Sequence, residues 1–347
     1  MGFLQDEEKD ALTIRRMIFH VVGKDLAEPV LLPEITPLQE PGFFLARVKL
    51  ALRGNLFAFR DGAAVEATLR GLTTGGNFAE GTQALAREFH RLHRTGTSNG
   101  VFLVFELATG QDTVFALIKY DHDEVVHYSL GNPGEEGMPH LERLQKTFVK
   151  KTEAMQKIAL VRLDPVAGGR IMVRDRSKPT HISEYFETFL DARRVNAPDE
   201  LSGKLVDALR ETFRKHKDTL PENVREGGVN RIYETLRQGG HRYDPEDPEP
   251  LFTAVFGRLA EDAPIRRTLD RMLREHGVSE ETFEINPERV RKPSRRVMET
   301  AEGTVVLYDE GHRPTTERME DGRERIEIVT AGITRDDVDI DKRTLGR

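Results

Sequence analysis

The chain has 347 residues and contains neither cysteine nor tryptophan. Without cysteine there are no disulfides, no thiol nucleophile, and no thiolate-bound zinc or iron–sulfur site. The absence also fits a reducing cytoplasm. Long apolar runs are missing too, and none approaches the ~20 residues that a membrane helix needs. The segment Met1 to Asp10 carries four acids and one lysine and has no apolar core of the signal-peptide type. Asp6 stands where a myristoylation signal requires Ser or Thr. There is no internal repeat and no low-complexity tract. Nor is there an excess of cations. A net charge of −7 does not suit a protein that coats nucleic acid all over, but it leaves room for a local basic footprint.

What is present is a well-patterned α+β chain. Hydrophobic residues at 37% permit a real core, and 32% charged residues imply a richly charged surface. The length allows two domains. Asn99 to Leu130 holds three short β-branched and aromatic runs bounded by turn residues, which predicts a three-stranded meander. The first two runs are apolar throughout, so both of their faces are expected to be covered. Ala11 to Val22 reads as a further strand. Pro29, Pro33, Pro37 and Pro41 mark an extended connection, and one helix or two short ones are expected from Gly42. Asn77 to Arg94 is a clear helix with Asn77 as its cap and Gly96 as its stop.

Two readings fit the next segment. Leu141, Leu144, Phe148 and Met155 mark a helical stripe, whereas Thr147 to Lys150 can also be a short strand. Lys157 to Asp164 is a strand, with Arg170 to Arg174 as its hairpin partner across Gly168 and Gly169. Ile182 to Leu190 is a short amphipathic helix. From Leu201 to His276 the pattern is helical, with four expected helices and an acidic, proline-rich connector from Asp244 to Pro250. The last expected helix starts at Pro264, where the missing N–H costs nothing. Thr304 to Tyr308 is a strand, with Arg325 to Val329 as a candidate partner. The expected organisation is therefore a sheet domain over 1–195 with mixed or antiparallel strands and flanking helices. A helical domain follows over 196–280, then a small β element with a charged tail over 281–347.

No constellation supports a catalytic assignment, and no cofactor or metal is expected. Asp121, His122, Asp123 and Glu124 are the densest set of potential ligands, but adjacent turn residues rarely converge on one ion. His90 and His93 share a helix face, with no third ligand and with Arg91 and Arg94 beside them. Asp112 and Lys119 sit on a hairpin as in a restriction-type nuclease, but Leu117 stands where the second acid is needed. Ser98 and Ser129 lie in no nucleophile elbow. The glycine pairs Gly75-Gly76 and Gly239-Gly240 lack the context of a phosphate-binding loop.

Charge is nevertheless segregated. From Arg143 to Lys178 there are ten basic residues against three acids, Glu153, Asp164 and Asp175. Lys146, Lys150, Lys151, Lys157, Arg170, Arg174, Arg176 and Lys178 are candidates for contact with phosphate oxygens. A second cluster is Arg289, Arg291, Lys292, Arg295 and Arg296, five cations in eight positions with no acid. The competing reading makes both clusters a solvated face, or ion pairs with the acidic connector and tail. Arg214, Lys215, His216 and Lys217 form a weaker group at a helix C-terminus, where cations belong in any case. With no tryptophan and no zinc-finger spacing, nucleic acid would be held by backbone and shape contacts, with little sequence preference.

The order of features resembles the bacterial nucleoid-associated protein family of NdpA and YejK. The likeness is carried by Gly100 to Phe105, by Val114 to Ile118, and by Lys157 to Asp164. The aromatic helix from Ile182 to Asp191 and the strand Thr304 to Tyr308 add to it. It covers roughly Gly100 to Tyr308. It implies a cytoplasmic, nucleoid-associated, dimeric protein that binds double-stranded DNA, with no catalytic motif to carry over. Relatives in antiviral defence systems imply a possible protein partner. Two further functions stay open: a metal-dependent nuclease or phosphodiesterase with a dispersed acidic site, and a partner-binding module of a defence system.

Overall fold

In the computed structural model, the described residues are 3–50, 52–93, 97–110, 112–121, 123–129, 140–148, 154–164, 168–292 and 295–333. The chain divides into two compact units, with the boundary after Val290.

The first unit is built on seven antiparallel strands. They are β1 (Thr13–Val22), β2 (Asn55–Phe59), β3 (Gly100–Thr109), β4 (Asp112–Asp121), β7 (Met155–Arg162), β8 (Arg170–Asp175) and β9 (Ala192–Arg194). Their order across the sheet is β1-β3-β4-β7-β8-β2-β9. Strands β3 and β4 lie inside the sheet and are apolar on both faces, as their sequence predicts. Alternation sorts their side chains: Phe102, Val104, Phe115 and Leu117 face one core, while Leu103, Phe105, Val114 and Ala116 face the other.

The first face is covered by α3 (Ala64–Thr73), α4 (Phe78–Arg91) and α5 (Glu184–Leu190). Helix α4 starts where the sequence places it, because the Asn77 side chain accepts a hydrogen bond from the Glu80 N–H at 3.3 Å. The second face is covered by α2 (Pro41–Leu50) and by Phe3 and Leu4, which precede the short helix α1 (Asp6–Asp10).

Two expectations for this region need correction. The third run of the meander, β5 (Asp123–Ser129), does not join the sheet. It pairs with β6 (His140–Thr147) in a separate two-stranded ladder. The edge of β4 is taken by β7 instead. His140 to Thr147 is therefore a strand and not the start of a helix over 140–155; of the alternative strand at 147–150, positions 149 and 150 lie outside the described residues.

A second core is made by α6 (Pro198–His216), α7 (Glu222–Gly227), α8 (Asn230–Arg237), α9 (Glu249–Phe256) and α10 (Pro264–Glu275). A short ladder of β10 (Arg242–Tyr243) and β11 (Phe283–Glu284) closes it. One of the four helices expected between Leu201 and His276 forms as two, α7 and α8, because Gly228 between them adopts φ +58°, a left-handed value that only glycine takes without strain. Arg194 ties this core to the sheet: its guanidinium reaches Glu281 at 3.0 Å and Asn55 at 3.1 Å.

The second unit holds two hairpins. In one, β12 (Arg295–Glu299) pairs with β13 (Val305–Asp309). In the other, β14 (Thr315–Arg318) pairs with β15 (Glu324–Glu327). The strand at Thr304 to Tyr308 thus forms nearly as expected, but its partner lies before it in sequence rather than at Arg325 to Val329. The chain is a mixed α+β protein, with an early seven-stranded antiparallel sheet and short C-terminal hairpins.

Candidate anion cleft and nucleic-acid interface

Register brings together residues that are far apart in sequence. His20 lies opposite Phe102, Phe102 opposite Lys119, Lys119 opposite Lys157, and Lys157 opposite Asp175. These five positions form one row across the sheet, on the face that carries α3, α4 and α5. The core above the row is apolar, so lysine at two adjacent positions is unusual. Like charges directly opposite each other on neighbouring strands are destabilising. Burial should increase that cost, yet Lys119 is only 1% exposed and Lys157 only 4%.

Each lysine has its own carboxylate. Lys119 Nζ donates to Asp121 at 2.7 Å and more distantly to Ser98 Oγ at 3.5 Å. Ser98 Oγ also donates to Asp121, at 2.6 Å. Gly100 makes room for this arrangement, since a Cβ there would sit 2.2 Å from the Tyr120 carbonyl oxygen and 2.6 Å from Lys119 Nζ. Lys157 Nζ donates to Asp175, and to Ser177 Oγ at 2.7 Å.

Asp175 is itself 1% exposed and is heavily satisfied. It accepts from the Ser177 N–H at 2.9 Å, from Ser177 Oγ at 2.7 Å, from the Ser183 N–H at 2.8 Å, and from Ser183 Oγ. Burial pushes its pKa up, but the hydrogen bonds from Lys157, Ser183 and Ser177 outweigh burial and hold it below the usual carboxylate range. Burial also pushes the Lys119 ammonium below its ordinary range; Asp121 opposes that shift and Lys157 adds to it.

Aromatic residues from the helices close over the row. The Tyr185 ring centroid is 5.8 Å from Lys157 Nζ. Burial, then Asp175 and Asp121, raise the pKa of its phenol. His93 packs beside Tyr185, with ring centroids 5.8 Å apart. Its Nδ1–H donates to the Phe89 carbonyl at 2.9 Å, and its buried Nε2 has no partner among the described residues. Burial lowers the pKa of His93, and the nearby Lys119 lowers it further. At the far end of the row, His20 is fully buried between the Leu32 N–H and Thr82. Burial and then Arg87 push its pKa down to about 4.

Above the two lysines opens a cleft of ≈ 320 Å³, lined among others by Ser98, Lys119, Lys157, Ser177 and Tyr185. The row was not legible in the sequence as a site. The available signal was a lysine continuing each apolar alternation, after Phe115 and Leu117 on one strand and before Ala159 and Val161 on the other.

The predicted basic residues fall into distinct settings. Lys157 belongs to the buried row. Arg174 is held by a bidentate pair with Glu246, at 2.6 and 2.5 Å, so the acidic connector takes up this cation. Arg170, Arg176 and Lys178 are exposed on β8 and in the turn after it, with no side-chain acceptor among the described residues. Lys146 sits on β6, while Lys150 and Lys151 lie outside the described residues. In the second cluster, Arg289 is exposed and pairs with Asp199 at 2.8 Å. Arg291 is also exposed; it begins the second unit together with Lys292, Arg295 and Arg296, the last two on β12.

Among the described residues, no group of three or more His, Asp or Glu lies close enough to hold an ion. His122 of the Asp121 to Glu124 turn is outside them. No helix among the described residues is long and apolar enough to cross a membrane.

Comparison with curated proteins found no match. A family model described as nucleoid-associated protein YejK matches residues 48–337. That range extends the likeness well before Gly100 and beyond Tyr308, so it includes the end of α2 and all of β2 on one side and both C-terminal hairpins on the other. It takes in the lysine row except His20, and the chain belongs to the nucleoid-associated protein YejK family.

Proposed function

We propose that the chain acts at the nucleoid by binding double-stranded DNA through phosphate contacts, largely independent of sequence. The supporting observation is a group of exposed cations with no side-chain acceptor among the described residues, Arg170, Arg176 and Lys178, in a chain whose family is nucleoid-associated. A net charge of −7 makes such a local group necessary, because the overall field repels a polyanion. Arg291 and its neighbours supply further cations on the second unit. Phosphate contacts position a protein on DNA without reading bases, and the absence of tryptophan and zinc-finger spacing agrees with that mode.

The working form we propose is a homodimer in the cytoplasm. A protein partner, as in defence-associated relatives, belongs to the same reading. Gel-shift titrations with unrelated duplexes at several salt concentrations test it. Binding should be similar for all duplexes and weaken steeply with salt. Undetectable binding at low salt would remove the proposal.

A further inference from the structure

We propose that the cleft above Lys119 and Lys157 binds a phosphate monoester, at a site separate from the surface that meets duplex DNA. An ammonium carries three N–H donors and no acceptor. Lys157 directs one donor to Asp175 and one to Ser177. Lys119 directs one to Asp121 and one, at long range, to Ser98. The third donor of each has no acceptor among the described residues, and both side chains line the cleft.

A buried ion pair is weak support for stability, since well-packed apolar residues do as well or better. Two such pairs with their cations side by side therefore call for a ligand. A phosphate monoester carries up to two negative charges and three terminal oxygens. That matches two adjacent ammonium groups, each with a donor to spare; the Ser98 and Ser177 hydroxyls beside them already donate to Asp121 and Asp175 and hold those carboxylates in place. A carboxylate, with one charge and two oxygens, matches only half of this set.

Burial sets the separation from the duplex surface. Lys119 is 1% exposed and Lys157 4%. The phosphates of a convex duplex meet cations that stand out from a surface, as Arg176 and Lys178 do. A small molecule entering a cleft of ≈ 320 Å³ can reach the lysines, and this volume lies at the low end for small-ligand sites. The Tyr185 ring offers an apolar wall for the group that carries the phosphate. Two of the nearby carboxylates do not bar an anion, because Asp175 is saturated by Lys157, Ser177 and Ser183, and Asp121 by Lys119 and Ser98; Glu184, which also lines the cleft, is exposed, so water and salt screen its charge.

The test uses the full chain in calorimetric and thermal-shift titrations at constant ionic strength. The probes are deoxyadenosine 5′-monophosphate, inorganic phosphate, deoxyadenosine and acetate. Both phosphate-bearing probes should bind, and the other two should not. Lys119→Met should weaken the nucleotide by about ten-fold or more, with an unchanged circular dichroism spectrum and unchanged duplex affinity in gel shift. Should that variant fail to fold, Ser98→Ala at the exposed rim takes its place, with a several-fold loss expected.

The proposal is overturned if the wild-type chain binds neither phosphate-bearing probe up to about 10 mM, or if deoxyadenosine binds as well as its monophosphate. Equal nucleotide affinity in a folded variant has the same consequence. Parallel loss of duplex affinity would merge the cleft with the duplex surface and overturn the separation. Failure of wild-type chain to bind duplex leaves the nucleotide result standing, so the two readings fail independently.

Discussion

The two lysines of the row should respond very differently to the same substitution. Lys157→Met leaves Asp175 ionised at 1% exposure, with its serine contacts but without its counter-charge. Removing one partner of a buried pair costs about 3–5 kcal/mol. Against a total stability of about 5–15 kcal/mol, that is a large share. Lys119→Met leaves Asp121, whose side chain is 23% exposed and still accepts from Ser98 at 2.6 Å. It also relieves the repulsion between the two ammonium groups. Its cost should be about 1 kcal/mol or less. Urea unfolding followed by circular dichroism separates the cases. With a urea slope of about 1–3 kcal/mol/M, Lys157→Met should lower the midpoint by about 1–5 M, and Lys119→Met by far less. Adding Asp175→Asn to Lys157→Met should restore part of the loss, because coupled neighbours are not additive. Equal midpoints for the two single variants, or no gain in the double variant, would refute the assignment of Asp175 as a buried charge held by Lys157.

Three further outcomes follow from the same geometry. His20 has a folded pKa of about 4, below its unfolded value, so the unfolded chain takes up the proton first on acidification; stability should fall by about 3 kcal/mol between pH 6.5 and 4, and His20→Gln should flatten that fall in urea midpoints measured across the range. Gly100→Ala places a Cβ 2.2 Å from the Tyr120 carbonyl oxygen and should destabilise by about 1–3 kcal/mol in the same assay, whereas a neutral result would mean that β3 and β4 can shift apart at this end. Reversing Arg176 and Lys178 to Glu should weaken every duplex alike in gel shift and lower the salt slope by about 2, while Arg174→Glu should do less because Glu246 already occupies that guanidinium; selective loss on one sequence would indicate base reading instead.

Local pattern made much of the fold legible. Strands β3 and β4 were visible because a strand buried on both faces reads as a continuous apolar run. Helix α6 was visible because Leu201, Leu205, Leu209 and Phe213 recur at helical spacing. Strand β6 was not, since Leu141, Leu144 and Phe148 have a spacing that also suits a helix. Nor was the departure of β5, because β4 pairs with β7 through a long-range choice that no neighbouring residue encodes. The basic clusters were legible as composition but not as partnership. Arg174 and Glu246 are 72 positions apart, and only the folded chain shows that one is spent on the other. The lysine row was hidden for a similar reason. Lys157 read as a phosphate-contacting cation and Lys119 as the lysine of an incomplete nuclease signature, and register alone placed the two side by side under α4 and α5.

The proposed DNA-binding role is most directly tested by duplex affinity as a function of salt. With Arg170, Arg176 and Lys178 each neutralising one phosphate, the logarithm of the association constant should fall against the logarithm of salt concentration with a slope of about −3 per chain, steeper if Arg291 and its neighbours contribute. The slope should be the same for unrelated duplexes. A flat dependence, or a slope that changes with sequence, would contradict binding through phosphate contacts.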